Sequence, residues 1–261
     1  MGQVDLNFTP SVPVFDANVA WGRHRTRTVS IDTIEGILEA MDKACVGRAL
    51  VYSTITMQAS PSSFGTSDTW DGNHILMDTI GEIPNLVPQF AFNPAVDKLE
   101  AFSDDVSNNG IRSLRMTPKL HHYPFRDWAV KPWMEWLSSE RIGVWVPVDQ
   151  IDVSELHDTA ELYPDVPFVL SESHYHYDPW VQLLMKSLPN THLEISRTVS
   201  PDGITDLIEM VGADRILYGS RFPDSPMPPQ LYNLHRCGLS KATLSAICHQ
   251  NLERILAGES I

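Results

Sequence analysis

The sequence predicts a single (β/α)8 barrel of the α/β TIM type, possibly distorted in places, on three observations. Its 261 residues match the roughly 250 that one such barrel uses. Eight short β-rich runs alternate with segments of helical period along that length. No low-complexity tract or Gly/Ser linker divides the chain, so residues 1–261 read as one domain. A doubly wound open sheet shows the same alternation. Its phosphate signatures, Gly-x-Gly-x-x-Gly after the first strand and the P-loop, are both absent.

The strands are expected at Val12–Asn18, Arg48–Thr54, Leu86–Phe92, Ile111–Thr117, Gly143–Val148, Pro167–Ser171, His192–Ser196 and Ile216–Gly219. After the first, Ser30 is a candidate N-cap, with Val29 and Ile34 placed as a hydrophobic staple. Ile31, Ile34, Leu38 and Met41 then share one helical face. Further helices read at Pro132–Leu137, Val153–Leu162, Trp180–Leu188, Ile204–Val211 and Leu239–Leu256, with Asp152, Asp178 and Ser240 as caps. Gly47, Gly110, Gly143 and Gly212 each follow a helical stretch, where a left-handed terminator is wanted.

Composition narrows the function classes. The apolar share of 43% suits a sizeable core. A net charge of −14 argues against nucleic acid and against anionic membrane surfaces as partners. It also makes any local cluster of arginine conspicuous. Cys45, Cys237 and Cys248 are odd in number, far apart and without a Cys-x-x-Cys pair, which points to reduced thiols in a cytoplasm. No secretory signal or membrane span is expected. A homo-oligomer is compatible with all of this.

Several segments resemble the amidohydrolase-related family. Phe15-Asp-Ala-Asn-Val-Ala20 stands where that family carries Asp-x-His-x-His, and Gly22 follows as the family's glycine does. Gly110-Ile-Arg-Ser-Leu-Arg115-Met-Thr-Pro118 is similar to its fourth strand, and Tyr163–Leu170 to the run into its sixth. Gly212-Ala-Asp-Arg-Ile-Leu-Tyr-Gly-Ser220-Arg-Phe-Pro223 resembles its eighth, and Asn251-Leu-Glu-Arg-Ile-Leu its closing helix. The resemblance implies a barrel whose strand-end histidines and strand-eight aspartate surround a divalent metal. Here those positions read Asn18, Ala20, Pro147 or Val148, Glu172 and Arg221. Alanine offers no lone pair and arginine brings positive charge, so the usual catalytic metal is not expected and no cofactor is assigned. The chain is similar to a branch of the family without those ligands.

In such a barrel the reacting residues sit at the C-terminal ends of strands. Asp16, Glu172 and Arg221 are the catalytic candidates, and Asn18, Arg23, Arg115, His174, His176, Glu194 and Arg197 the substrate-binding ones. Four arginines in one concave mouth focus potential on an anion, and their forks suit carboxylates. The competing reading is that each pairs with a neighbouring carboxylate and ties the rim together. Asp16 or Glu172 is the candidate base, with burial raising and arginine lowering its pKa. Glu172, His174 and His176 have the spacing of an alternative divalent-metal site; an aromatic lid or plain loop packing fits the same run. His121 and His122 read as a loop above strand four, and His24, Arg25 and Arg27 as solvent or phosphate contacts. Trp128, Trp133 and Trp136 read as helix packing.

These features predict an enzyme that hydrolyses a small carboxylated lactone or ester without the usual metal. A metal-independent decarboxylase or lyase uses the same clamp, and a non-catalytic barrel binding a metabolite or partner is the reading from another class.

Overall fold

The computed structural model describes residues 8–23, 31–57, 68–198 and 202–259. Val29, Ser30, His24, Arg25 and Arg27 lie outside them. Eight parallel strands follow one another round the sheet in sequence order. They are β1 (Phe15–Trp21), β2 (Arg48–Ser53), β3 (Leu86–Ala91), β4 (Ser113–Arg115), β5 (Gly143–Pro147), β6 (Phe168–Ser171), β7 (Thr191–Glu194) and β8 (Ile216–Leu217). The helices between them are α1 (Ile34–Ala44), α2 (Asp68–Ile80), α3 (Leu99–Asn108), α4 (Asp127–Glu140), α5 (Val153–Leu162), α6 (Asp178–Ser187) and α7 (Gly203–Val211). After β8 come α8 (Pro228–Arg236), α9 (Lys241–Ser245) and α10 (Asn251–Ala257). The seam is joined by Ala17 N donating to Tyr218 O at 3.0 Å and Ala20 N to Phe222 O at 2.8 Å. This is a TIM barrel.

The period-two alternation of each strand divides the apolar residues into two cores. Phe15, Ala17, Leu50, Trp145, Val169 and Leu217 form the inner one, with Leu252 and Ile255 of α10 packed against them. A Cβ on Gly143 would lie 2.6 Å from Ile255 Cγ2, so glycine opens β5 to let α10 cover the N-terminal end of the barrel. The intervening residues (Leu114, Val144, Phe168, Leu170, Leu193 and Ile216) face outward into the larger core beneath the helices. Trp133 of α4 belongs there, stacked on Phe92 at 5.0 Å with Trp136 edge-on. Trp128 does not pack: it is 77% exposed.

Local chemistry explains where the elements start and stop. Asp152 caps α5 by accepting from Ser154 N and Glu155 N, and Ser240 caps α9 by accepting from Thr243 N. Asp178 instead lies in the first turn of α6, after Tyr177. α1 starts at Ile34 and is capped by Thr33, which accepts from Gly36 N, rather than by Ser30 as expected. Left-handed backbone follows α3 and α7 at Gly110 and Gly212, as expected, but α1 and α4 end on Cys45 and Arg141 rather than on Gly47 and Gly143. α4 begins before Pro132; the amide that proline lacks would have bonded the carbonyl of exposed Trp128. The expected helix Leu239–Leu256 is interrupted by a π turn over Ala246–Gln250, where Ile247 O accepts from Tyr218 N at 2.9 Å. α2 and α8 are additional to the sequence reading, which gave α3 only as a helical stretch before Gly110; α2 carries Gly72 and Asn73, both poor helix signals.

Candidate active site

The C-terminal strand ends bring six of the expected site residues together. Arg115, closing β4, is only 1% exposed. Its Nη2 donates to Glu172 Oε1 at 2.6 Å, its Nη1 to Asn18 Oδ1 at 3.3 Å, and its guanidinium lies 3.9 Å over the ring of Tyr52. Arg221, beyond β8, donates from Nε to Glu172 Oε2 at 2.9 Å and pairs through Nη2 with Asp224 Oδ2 at 3.1 Å. Asn18 Nδ2 donates to Glu194 Oε2 at 2.9 Å. The result is one continuous chain: Glu194, Asn18, Arg115, Glu172, Arg221, Asp224.

Glu172 and Arg221 both adopt left-handed backbone, with φ of 59° and 60°. For a residue with a Cβ this costs on the order of 1–2 kcal/mol. The turn comes just after β6 and β8, and the two side chains meet across the mouth. Burial works against the Glu172 carboxylate, but Arg115 and Arg221 outweigh it and hold its pKa below the ordinary value. Glu172 is therefore a permanent anion, a poor base and a good anchor.

Asp16 is fully buried where the β1–β2 register slips, between Asp16 and Val19. Its Oδ1 accepts from Asn18 N at 3.0 Å and from Ser220 N at 2.9 Å, latching β1 to the end of β8. Its Oδ2 is enclosed without a partner. Burial pushes this carboxyl up to about 7 against the pull of those hydrogen bonds. Glu194 is also raised, first by burial, despite accepting from Asn18, the Ser196 amide, Ser196 Oγ at 3.0 Å and Glu172 N at 3.3 Å. A Cβ on Gly219 would come within 2.5 Å of the Glu194 carboxylate, so glycine makes the space that this acid fills.

The other expected residues are placed differently. Arg23 points away, its side chain 90% exposed and paired with Asp32 at 3.1 Å. His174 and His176 do not converge with Glu172. They flank exposed Tyr175 in a turn, ring centroids 5.0 Å apart, while both Glu172 oxygens are taken by arginine. Among the described residues no group of three or more His, Cys, Asp or Glu is arranged to hold a metal ion. Arg197 is half-buried and makes no hydrogen bond or ion pair with a described residue. Partial burial, the Arg197 charge and His176 lower the pKa of His174, favouring its neutral form. His121 ties the loop after β4 to Thr56 O at 2.9 Å, and His122 is exposed.

Sequence reasoning missed Tyr52, Ser196, Gly219 and Asp224 as parts of this assembly. Tyr52 lies two residues inside the expected strand Arg48–Thr54, and nothing in the sequence marks it apart from the strand's other apolar residues. Asp224 stands three residues after Arg221, a spacing that permits local pairing.

A family model described as amidohydrolase matches residues 68–257. The chain belongs to the amidohydrolase family. No curated protein matches this amidohydrolase-family chain by sequence. Among solved structures it is similar to an uncharacterized TIM-barrel protein from Bordetella bronchiseptica, at 17% identity and a TM-score of 0.71, covering 95% of this chain and 99% of that one. It is similar to 5-carboxyvanillate decarboxylase from Sphingomonas paucimobilis, at 12% identity and 0.74, over 95% and 99%. It is also similar to 2,6-dihydroxybenzoate decarboxylase from Rhizobium, at 13% identity and 0.74, over 94% and 99%. At these identities the likeness is one of fold. Among the described residues no helix of this amidohydrolase-family barrel is long and apolar enough to cross a membrane.

Proposed function

We propose that the chain hydrolyses small carboxylated lactones or esters, with guanidinium groups standing in for the divalent metal. The observation that carries this is Arg221. It occupies the strand-eight position where the resemblance placed a metal-binding aspartate, held by Glu172 and Asp224 and with Nη1 bonded to no described residue. The donor set does not fit a divalent ion: Asn18 is spent on Glu194 and Arg115, Ala20 has no donor, and Glu172 is saturated by two cations.

In this reading Arg221 Nη1 binds and polarises the reacting carbonyl, and Arg197 at the rim holds the substrate carboxylate. With a water admitted beside its enclosed Oδ2, Asp16 takes a proton from that water as the water oxygen bonds to the acyl carbon. The ester C–O bond then breaks, and the leaving alkoxide receives that proton. Glu172 and Glu194 position the guanidinium and the amide. Alkoxides need less assistance to leave than amines, which favours lactones and esters over amides.

A second reading is decarboxylation, favoured by the decarboxylase names of two of the structural relatives. Here the clamp holds the carboxylate to be lost, CO2 leaves with its bond electrons left on carbon, and protonated Asp16 supplies the proton. The two readings have opposite pH arms. Asp16 sits at about 7, so a base-dependent hydrolysis rises through that pH and an acid-dependent decarboxylation falls. The test is a panel of carboxylated lactones, esters and β-keto acids assayed in EDTA, following acid and CO2 release, with Arg221→Ala beside the wild type. Hydrolysis with a rising arm, reduced at least about a hundredfold in Arg221→Ala, is expected. Turnover only after adding a divalent metal contradicts the proposal.

A further inference from the structure

We infer that Tyr52 contacts the substrate, its hydroxyl donating a hydrogen bond to the same carbonyl or carboxylate oxygen that Arg221 engages. This rests on the carboxylated-substrate reading above and adds a residue to it. Tyr52 lies one residue from the C-terminal end of β2, in register with Ala20 of β1 and Gln89 of β3, and so at the mouth of the barrel. Its ring is fixed beneath the Arg115 guanidinium at 3.9 Å, and the residue as a whole is only 6% exposed. Such packing aims the hydroxyl in one direction.

The hydroxyl makes no hydrogen bond with a described residue and is not enclosed. Other buried tyrosines differ. Tyr218 donates to Met227 O at 3.0 Å, Tyr163 to Asp127 Oδ1 at 2.5 Å, and the unbonded Tyr123 hydroxyl is sealed from solvent. A buried tyrosine ordinarily finds a partner for its O–H. Among the described residues Tyr52 lacks one, near the C-terminal end of its strand.

Its surroundings say what the partner is. Tyr52 lies within electrostatic reach of Arg115, Glu172, Asp224 and Arg221, and Arg221 in turn responds to Tyr52. Burial pushes the phenol up to about 12, so at neutral pH the group offers a proton and cannot act as a base. A substrate oxygen reaching Arg221 Nη1 meets one N–H and one O–H donor. That pair stabilises negative charge growing on a carbonyl oxygen. It also disfavours any substrate without an acceptor there, because the donors would be left unpaired.

The test compares wild type with Tyr52→Phe, which keeps the ring and its cation contact. One assay is turnover of whichever lactone or ester the wild type accepts; the other is calorimetric binding of oxalate as a probe. The expected result is an unchanged unfolding midpoint, a kcat about a hundredfold lower with little change in KM, and oxalate bound about tenfold more weakly. Equal kcat and equal oxalate affinity in the two proteins overturn the inference while leaving the hydrolase reading intact. Oxalate binding weakened in Tyr52→Phe, in a wild type that hydrolyses nothing, supports Tyr52 and overturns the hydrolase reading. No turnover and no oxalate binding by the wild type overturn both. Should Tyr52→Phe unfold, fluorotyrosine placed at position 52 reports the contact directly. Its fluorine resonance should move on oxalate addition, and a stationary resonance overturns the inference.

Discussion

The strand ends and the turn after β6 carry similar side chains in different states. At the strand ends Arg115, Glu172 and Arg221 hold one another, and Glu194 is bonded on both oxygens. Three and five residues beyond β6, His174 and His176 meet mainly each other and Tyr175, and Arg197, three residues beyond β7, makes no hydrogen bond or ion pair with a described residue. A charge whose hydrogen bonds are already made inside the protein fixes geometry; one whose bonds are unmade is available to a ligand. The mouth is thus an electrostatic frame with a few donors at its edge, Arg221 Nη1, Tyr52 Oη and Arg197, that no described residue engages. Counting ionisable groups alone does not separate frame from contact.

The sharpest way to break that distinction is to remove the centre of the frame. Glu172→Ala leaves Arg115 buried without its carboxylate, and urea unfolding should show a loss of about 3–5 kcal/mol. A loss no larger than that of a rim variant would mean the frame is not one.

Asp16→Asn comes next. Burial keeps Asp16 protonated in the folded chain up to about 7, whereas the unfolded chain releases the proton near 3.8. The native state therefore binds more protons between those values, and stability is fully present below about pH 4 and falls as pH rises through 7. Asparagine keeps an acceptor for the Asn18 and Ser220 amides and never charges. At pH 8 it should be more stable than wild type by on the order of 3 kcal/mol, at pH 4 no more stable, and inactive at both. A stability difference independent of pH would remove Asp16 as the group titrating near neutrality.

The rim should respond in the opposite sense. Arg197→Ala should change unfolding by no more than about 0.5 kcal/mol, yet weaken a carboxylate probe such as oxalate about tenfold. A large loss of stability would place Arg197 in the frame instead.

The fold was legible because strand alternation and helical period are local. The starts of β2, β3 and β5 were read to the residue at Arg48, Leu86 and Gly143. Helices without a clear apolar period or cap were not, and α2, with Gly72 and Asn73 inside it, is the plainest case. The site was half legible. The rule that barrel chemistry sits at strand ends named Asp16, Asn18, Arg115, Glu172, Glu194 and Arg221, and the structure places these six side by side. It could not say who pairs with whom, because Glu172 lies 57 residues from one arginine and 49 from the other. Nor could it orient the loops: Arg23, two residues past β1, turns to Asp32 at the surface. The pairing of arginines with neighbouring carboxylates holds for three of the four: Arg115 and Arg221 are spent on Glu172, and Arg23 on Asp32.

On the proposed reading, guanidinium groups occupy the positions where the resemblance placed metal ligands. This is tested most directly by elemental analysis of the protein purified without chelators and without a metal-binding tag. Less than about a tenth of an equivalent of any transition metal is expected, with hydrolysis unaffected by EDTA. Near-stoichiometric zinc, iron or manganese, lost together with activity on chelation, would contradict it.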